Sequence, residues 1–322
     1  MKLAWIFPGQ GAQTVGMGKD LYESSPRAKA IYDRADEALG WKLSKLCFEG
    51  PESDLVLTAN TQPAILTTSI AILEALREQI GSLNSPLYVA GHSLGEYTAL
   101  VAAGAISLED AVRLVNLRGK AMQEAVPPGL GAMAAVMGGS TEQIEALCSE
   151  AAAGEVVSAA NFNAPGQVVI AGHASAVERA KVKAAEAGLK VIPLKVSAPF
   201  HCALMKPAAE AVSSALKSIT LLNPVVPVVA NVDARPNQSA ENIPSLLVRQ
   251  IDGTVRWEQS VKFMADMGVE RALEIGPGNV LSGLVKRIDK RIATLSVNSP
   301  STIAKVHSFL VPQAAQTAQA SA

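Results

Sequence analysis

Cysteine is scarce in this chain of 322 residues: Cys47, Cys148 and Cys202 are the only three. They are odd in number, widely spaced and form no C-x-x-C, which argues against a disulfide framework or a thiolate zinc site and fits a reducing compartment. Long apolar runs are also missing. Leu3 to Phe7 is only five residues long before Pro8-Gly9, too short for a signal-peptide core, and nothing approaches the ~18 residues a membrane span needs. Charge of one sign is missing too: 28 basic and 29 acidic residues leave a net charge of -1, so nothing global attracts nucleic acid or an anionic membrane. Phosphate-binding signatures fail: there is no G-x-x-x-x-G-K-[ST], and Gly9-Gln10-Gly11 is followed by Thr14 where a dinucleotide fingerprint needs glycine. With 49% apolar residues and 18% charged ones the chain has ample material for a core. A soluble, monomeric cytoplasmic protein of about two domains, or one domain with an insertion, is expected.

Strand and helix signals alternate. Leu3 to Phe7 predicts a buried strand, Gln62 to Arg77 a helix with Thr61 as N-cap and Pro63 in its first turn, and Leu87 to Ala90 a short strand. A small-residue helix follows from Gly95 to Ala103, then a helix capped by Ser107 and running to Gln123. This rhythm predicts a parallel α/β sheet. Past Pro127-Pro128-Gly129 the order becomes β-α-β-β-α-β, with strands at Ala132 to Met137, Val156 to Ala160, Gln167 to Ala171 and Lys190 to Val196, the pattern of a ferredoxin-like unit. The expected organisation is a large α/β domain from residues 1–125 and 198–311, a ferredoxin-like small subdomain at 126–197, and a disordered tail at 312–322. The site is expected in the cleft between the two. In the returning large domain the patterns predict helices at Lys206 to Ile219, Ala240 to Ile251 and Glu258 to Met267, and strands at Val225 to Asn231 and Arg271 to Ile275.

Gly91-His92-Ser93-Leu94-Gly95 matches G-x-S-x-G, the strand-to-helix turn that exposes a serine hydroxyl above the free N–H groups of a helix. A serine nucleophile needs a base, and only four histidines are available. His92 adjoins the serine and should point away, His173 opens a helix, and His307 lies near the end. His201, where the chain re-enters the large domain, is the best placed. A triad acid is not evident. Asp110 is the only aspartate between Ser93 and His201 and caps a helix, and the intervening glutamates read as exposed. The acceptor that orients His201 is therefore expected to be a neutral amide or carbonyl, and His201 is expected to titrate near an ordinary histidine. Arg118 falls on the apolar face of its helix with Ala111, Leu114, Val115 and Met122, so it points inward, where a guanidinium needs an anion, either internal or a substrate carboxylate.

Together, Phe7-Pro8-Gly9-Gln10-Gly11-Ala12-Gln13, Gln62-Pro63, Gly91 to Glu96, Arg118, His201, Gln250 and Glu274-Ile275-Gly276-Pro277-Gly278 resemble the malonyl-CoA:acyl carrier protein transacylases over residues 1–310. The resemblance implies a hydrolase-like parallel-sheet domain with a ferredoxin-like insert, and malonyl transfer from malonyl-CoA to an acyl carrier protein for fatty acid synthesis. A trans-acting acyltransferase of a polyketide synthase is the alternative within the family. It implies Ser93 as nucleophile, His201 as base, Gln250 as the neutral acceptor, Gln10 and the Leu94 N–H as oxyanion donors, Arg118 on the malonyl carboxylate, and Phe200 as a bulky selectivity residue. No metal or cofactor is implied. Ala12 replaces a serine common in the family. A basic patch of Lys286, Arg287, Lys290 and Arg291, read on one helix after Gly278, is expected to meet the acidic carrier. A serine esterase and a non-catalytic binding module are the readings from other classes.

Overall fold

The computed structural model describes residues 1–81, 85–194, 196 and 198–311; the expected tail at 312–322 lies outside them. Leu3–Phe7 (β1) is buried at all five positions, as a central strand covered on both faces must be. Beside it run Tyr88–Gly91 (β2) and, from far along the chain, Arg271–Ile275 and Ala293–Val297, all parallel to β1. Between β2 and these last two lie Gly131–Met137 (β3), Val157–Ala164 (β4), Gln167–His173 (β5), Lys190–Pro193 (β6), Val228–Ala230 (β7) and Arg235–Asn237 (β8), so that Arg271–Ile275 is β9 and Ala293–Val297 is β10. The large sheet has the order β10-β9-β1-β2-β7-β8, parallel except for the edge hairpin β7-β8. The small sheet has the order β4-β5-β3-β6 and is antiparallel throughout, packed by helices Thr141–Ala152 and Ala174–Glu186, which is the ferredoxin-like arrangement.

The two sheets are stitched at one seam. Phe162 N–H donates to the Val255 carbonyl at 2.9 Å, Val255 N–H to the Ala160 carbonyl at 2.9 Å, and Thr254 Oγ1 to the Ala159 carbonyl at 2.7 Å. Strand β4 reaches this seam because it runs to Ala164, four residues past the expected end, and it bends there through irregularities at Ala159/Asn161 and Phe162/Ala164. Strand β6, by contrast, ends at Pro193, short of the expected Val196.

The helix expected from Gln62 begins a turn earlier and spans Thr58–Ile80, so Pro63 sits inside it and Thr61 is not its cap. The proline ring has no N–H for the Ala59 carbonyl. Asn116 Nδ2 donates to that carbonyl instead, at 2.8 Å, from the helix Leu108–Glu124. These two helices touch closely: a Cβ on Gly119 would come within 2.4 Å of the Thr58 carbonyl oxygen. Gly119 therefore sets the separation at which Arg118 meets Gln62. No helix among the described residues is long and apolar enough to cross a membrane.

Candidate active site

Strand β2 ends at Gly91, and Ser93 stands between it and the helix Leu94–Ala102 with φ 51° and ψ -104°. A non-glycine residue in such a conformation costs about 1–3 kcal/mol and persists only where its surroundings impose it. The glycines of the motif are a steric requirement. A Cβ on Gly91 would lie 2.0 Å from the Gly95 carbonyl, and one on Gly95 would lie 2.1 Å from the Phe7 carbonyl oxygen. Turn, helix and β1 are pressed together, and the serine side chain is left facing the cleft.

Ser93 Oγ lies 2.8 Å from His201 Nε2, and His201 Nδ1 lies 2.8 Å from the main-chain carbonyl of Gln250. A carbonyl can only accept, so Nδ1 carries the proton and Nε2 is free to take one from the serine. The neutral acceptor on His201 is thus Gln250, through its backbone. The Gln250 side chain is engaged elsewhere: Oε1 accepts from Arg118 at 2.9 Å, and Nε2 donates to the Ser93 carbonyl and to Glu96 Oε2, both at 2.8 Å. Burial, and then the positive charge of Arg118, push the His201 pKa down to about 3. The expectation of an ordinary histidine is corrected by this: the imidazole is buried and has a cation for a neighbour. A depressed pKa keeps the base neutral far into acid. In Glu96→Gln, which removes the nearby carboxyl that burial holds up to about 7, kcat/KM for acylation is expected to stay level from about pH 8 down to about pH 5. An inflection near the ordinary histidine value in that profile would contradict the placement of His201.

Arg118 is buried, as its helix position predicts. Its described hydrogen-bond partners are neutral oxygens: Gln62 Oε1 at 2.7 Å, Gln250 Oε1 at 2.9 Å and Ser93 Oγ at 3.0 Å. The guanidinium also lies over the Tyr97 ring, 5.1 Å from its centre. Burial lowers its pKa, while Tyr97 and Glu96 act to raise it. A cation in this setting, a hydrogen bond away from Ser93 Oγ, can take an anion from outside as its partner.

The cavity above Ser93 holds about 420 Å³. Gln10, Leu94 and Arg118 line it together with the apolar side chains of Met133, Leu194 and Phe200. Gln10 Nε2 is 3.3 Å from Thr58 Oγ1. Leu94 is the first residue of its helix, so its N–H has no carbonyl a turn earlier within the helix. His92, expected to point away from Ser93, is also among the residues lining this cavity, and its Nε2 lies 2.8 Å from Asn163 Oδ1 near the end of β4. His173 is structural: its Nδ1 accepts from Val156 N–H at 3.0 Å. The three cysteines are buried free thiols, and burial lifts Cys202 to about 11, which keeps it protonated and weakly nucleophilic. No cluster of three or more His, Cys, Asp or Glu side chains suited to a metal occurs among the described residues.

Two residues of the site were not singled out from the sequence. Glu96 reads as an exposed acid in a first helical turn but is 2% exposed, so the expectation that all the intervening glutamates face solvent is corrected. Asn231, just past β7, is wholly buried and accepts the Ser93 N–H at 2.7 Å. The expected basic patch is also corrected. The helix Val280–Ile288 stops before Lys290, Asp289 is extended, and Arg291 folds back onto Asp289 and Asp266. Lys286 and Arg287 remain in the last helical turn, with Arg287 donating to Gln167 Oε1 of β5.

Residues 4–307 match the family model described as an acyl transferase domain. The malonyl CoA-acyl carrier protein transacylase of Escherichia coli (strain K12) is 51% identical over 304 residues, 94% of this chain and 98% of that protein. The Bacillus subtilis (strain 168) protein of the same name is 50% identical, over 94% of this chain and 95% of its own. Among solved structures, an acyl carrier protein S-malonyltransferase from Vibrio cholerae superposes with a TM-score of 0.92 at 48% identity, covering 95% of this chain and 100% of that one. A malonyl-transacylase in complex with its type II PKS acyl-carrier protein does so with a TM-score of 0.92 at 47% identity, covering 96% of this chain and 100% of that one.

Proposed function

Because the chain belongs to the malonyl-CoA:acyl carrier protein transacylase family of acyl transferases, we propose that it carries a malonyl group from coenzyme A to the phosphopantetheine thiol of a carrier protein as an ester on Ser93. The observation that carries the assignment is Ser93 Oγ held between His201 Nε2 at 2.8 Å and Arg118 Nη2 at 3.0 Å in one cavity. His201 takes the serine proton as Oγ attacks the thioester carbonyl. The Leu94 N–H and the Gln10 side chain receive the oxyanion, each worth about 3–4 kcal/mol in the transition state. His201 returns the proton to the departing CoA thiolate. The carrier thiol then repeats the steps in reverse, with His201 as its base. Arg118 turns its fork from neutral oxygens to the malonyl carboxylate, and Phe200 bounds the space for the acyl chain. Fatty acid synthesis is the process this transfer serves.

The test is to mix the protein with malonyl-CoA and a holo carrier protein. Malonyl on the carrier, with stoichiometric CoA release, is expected. Malonate released to water with no carrier product would make the protein an esterase.

Carrier contact belongs to the same proposal. Lys286 and Lys290 are exposed and form no ion pair among the described residues, in contrast to Arg291. Lys286→Glu with Lys290→Glu is expected to weaken transfer to the carrier several-fold, more at low salt, and to leave acylation by malonyl-CoA unchanged. Equal losses in both half-reactions would remove this surface from the account.

A further inference from the structure

Two buried polar side chains have no part in the chemistry above, yet both touch its machinery. Asn231 follows β7, the strand beside β2. Its Oδ1 accepts the Ser93 N–H at 2.7 Å, and its Nδ2 donates to the Gly91 carbonyl at 2.7 Å. One amide therefore spans the serine turn on both sides of His92. Asn231 is itself held at both main-chain groups: its N–H donates to Glu96 Oε2 at 3.0 Å, and its carbonyl accepts from Arg256 N–H at 2.9 Å. Glu96 Oε2 takes a second donor, Gln250 Nε2, at 2.8 Å. Gln250 is the residue whose carbonyl meets His201, whose Oε1 meets Arg118 and whose Nε2 meets the Ser93 carbonyl.

The serine turn needs such a clamp. At φ 51° Ser93 would relax to an ordinary conformation if its peptide groups were free to rotate. Its N–H is taken by Asn231 and its carbonyl by Gln250, and Glu96 is the acceptor common to both amides. Asparagine suits the place because the turn presents one donor and one acceptor. Aspartate of the same shape, when ionised, could meet only the donor and would repel the Gly91 carbonyl.

We propose that Asn231 and Glu96 are positioning residues for the malonyl transfer: Asn231 locks the strained Ser93 turn, and Glu96 holds Asn231 and Gln250 so that nucleophile, base and Arg118 share one register. The proposal rests on Ser93 being the nucleophile. Glu96 meets the Gln250 side chain, while the Gln250 main-chain carbonyl meets the imidazole, so Glu96 acts on the placement of Gln250 and not as a triad acid on His201.

Single-turnover acylation by malonyl-CoA, followed by intact mass, separates rate from amplitude. Asn231→Ala is expected to reach full amplitude, one ester per chain, at a rate lower by on the order of 10²-fold, as a displaced nucleophile would give. Asn231→Asp, which keeps the volume, is expected to lose at least about tenfold with full amplitude. Glu96→Gln keeps an oxygen acceptor and is expected to stay within a few-fold of the parent, whereas Glu96→Ala falls with Asn231→Ala. Parental rates in both Asn231 variants would overturn the proposal, whether amplitude is full or reduced, since reduced amplitude at parental rate marks lost folded protein. Equal behaviour of Glu96→Gln and Glu96→Ala would overturn the part assigned to Glu96. With a normal parental ester these outcomes leave the Ser93 assignment standing; a parent that forms no ester at Ser93 overturns both.

Discussion

Arg118→Ala is expected to lower malonyl transfer by roughly two orders of magnitude or more, and to lower acetyl transfer far less. The fork sits in a buried setting of Gln62, Gln250 and Tyr97, where its hydrogen bonds go to neutral oxygens and it lies over a ring face, with the Glu96 carboxyl acting on it from beyond. Malonyl brings the one carboxylate that can engage it through two parallel hydrogen bonds, a charge-assisted contact whose loss costs on the order of 2–5 kcal/mol. That range corresponds to a factor of about 30 to about 5 × 10³ in rate, centred above 10². Acetyl brings no anion and leaves the guanidinium desolvated, so discrimination comes as much from that penalty as from attraction. Arg118→Lys is expected to recover only part of the loss, because an ammonium is a point charge without the fork. The measurement is kcat/KM for malonyl-CoA and acetyl-CoA with each variant. An equal drop for both substrates would make Arg118 structural and place selectivity elsewhere.

His201→Ala is expected to depress acylation by on the order of 10⁴-fold or more. Ser93 would keep Arg118 Nη2 at its oxygen but lose the ring nitrogen, 2.8 Å away, that can take its proton. Gln250→Ala is expected to cost much less. The group that fixes the imidazole tautomer is the Gln250 main-chain carbonyl, 2.8 Å from Nδ1, and it survives any side-chain change. What Gln250→Ala removes is the tie from Arg118 to Glu96 and the Ser93 carbonyl. Pre-steady-state acylation rates order these variants. A Gln250→Ala loss as deep as that of His201→Ala would show that the side chain, not the carbonyl, governs the base.

The parallel sheet was legible because a strand covered on both faces must be apolar throughout, and Leu3–Phe7 is. The nucleophile turn was legible because Gly91 and Gly95 leave no space for a Cβ, which compels the spelling of the motif. Arg118 was legible from helical period alone. What local pattern could not reveal depends on partners far along the chain. Glu96 looks like any acid in a first turn until Asn231, 135 positions later, donates to it. Asn231 follows a short strand and has no motif around it. Pro63 looks like a helix start, and is not one because Asn116, 57 positions after Ala59, takes the Ala59 carbonyl that the proline leaves unpaired. The basic residues after Gly278 look like one helical face, but Asp289 leaves the helix and draws Arg291 back to itself.

The central claim is a covalent malonyl ester on Ser93, and intact mass spectrometry measures it directly. The parent protein mixed with malonyl-CoA and no carrier is expected to gain one malonyl group per chain, located to the peptide holding Ser93, and to lose it when a holo carrier protein is added. Ser93→Ala is expected to gain nothing. An adduct that persists on Ser93→Ala, on the buried Cys202 thiol or elsewhere, or a parent that passes malonyl to the carrier without ever carrying it on Ser93, would contradict the account.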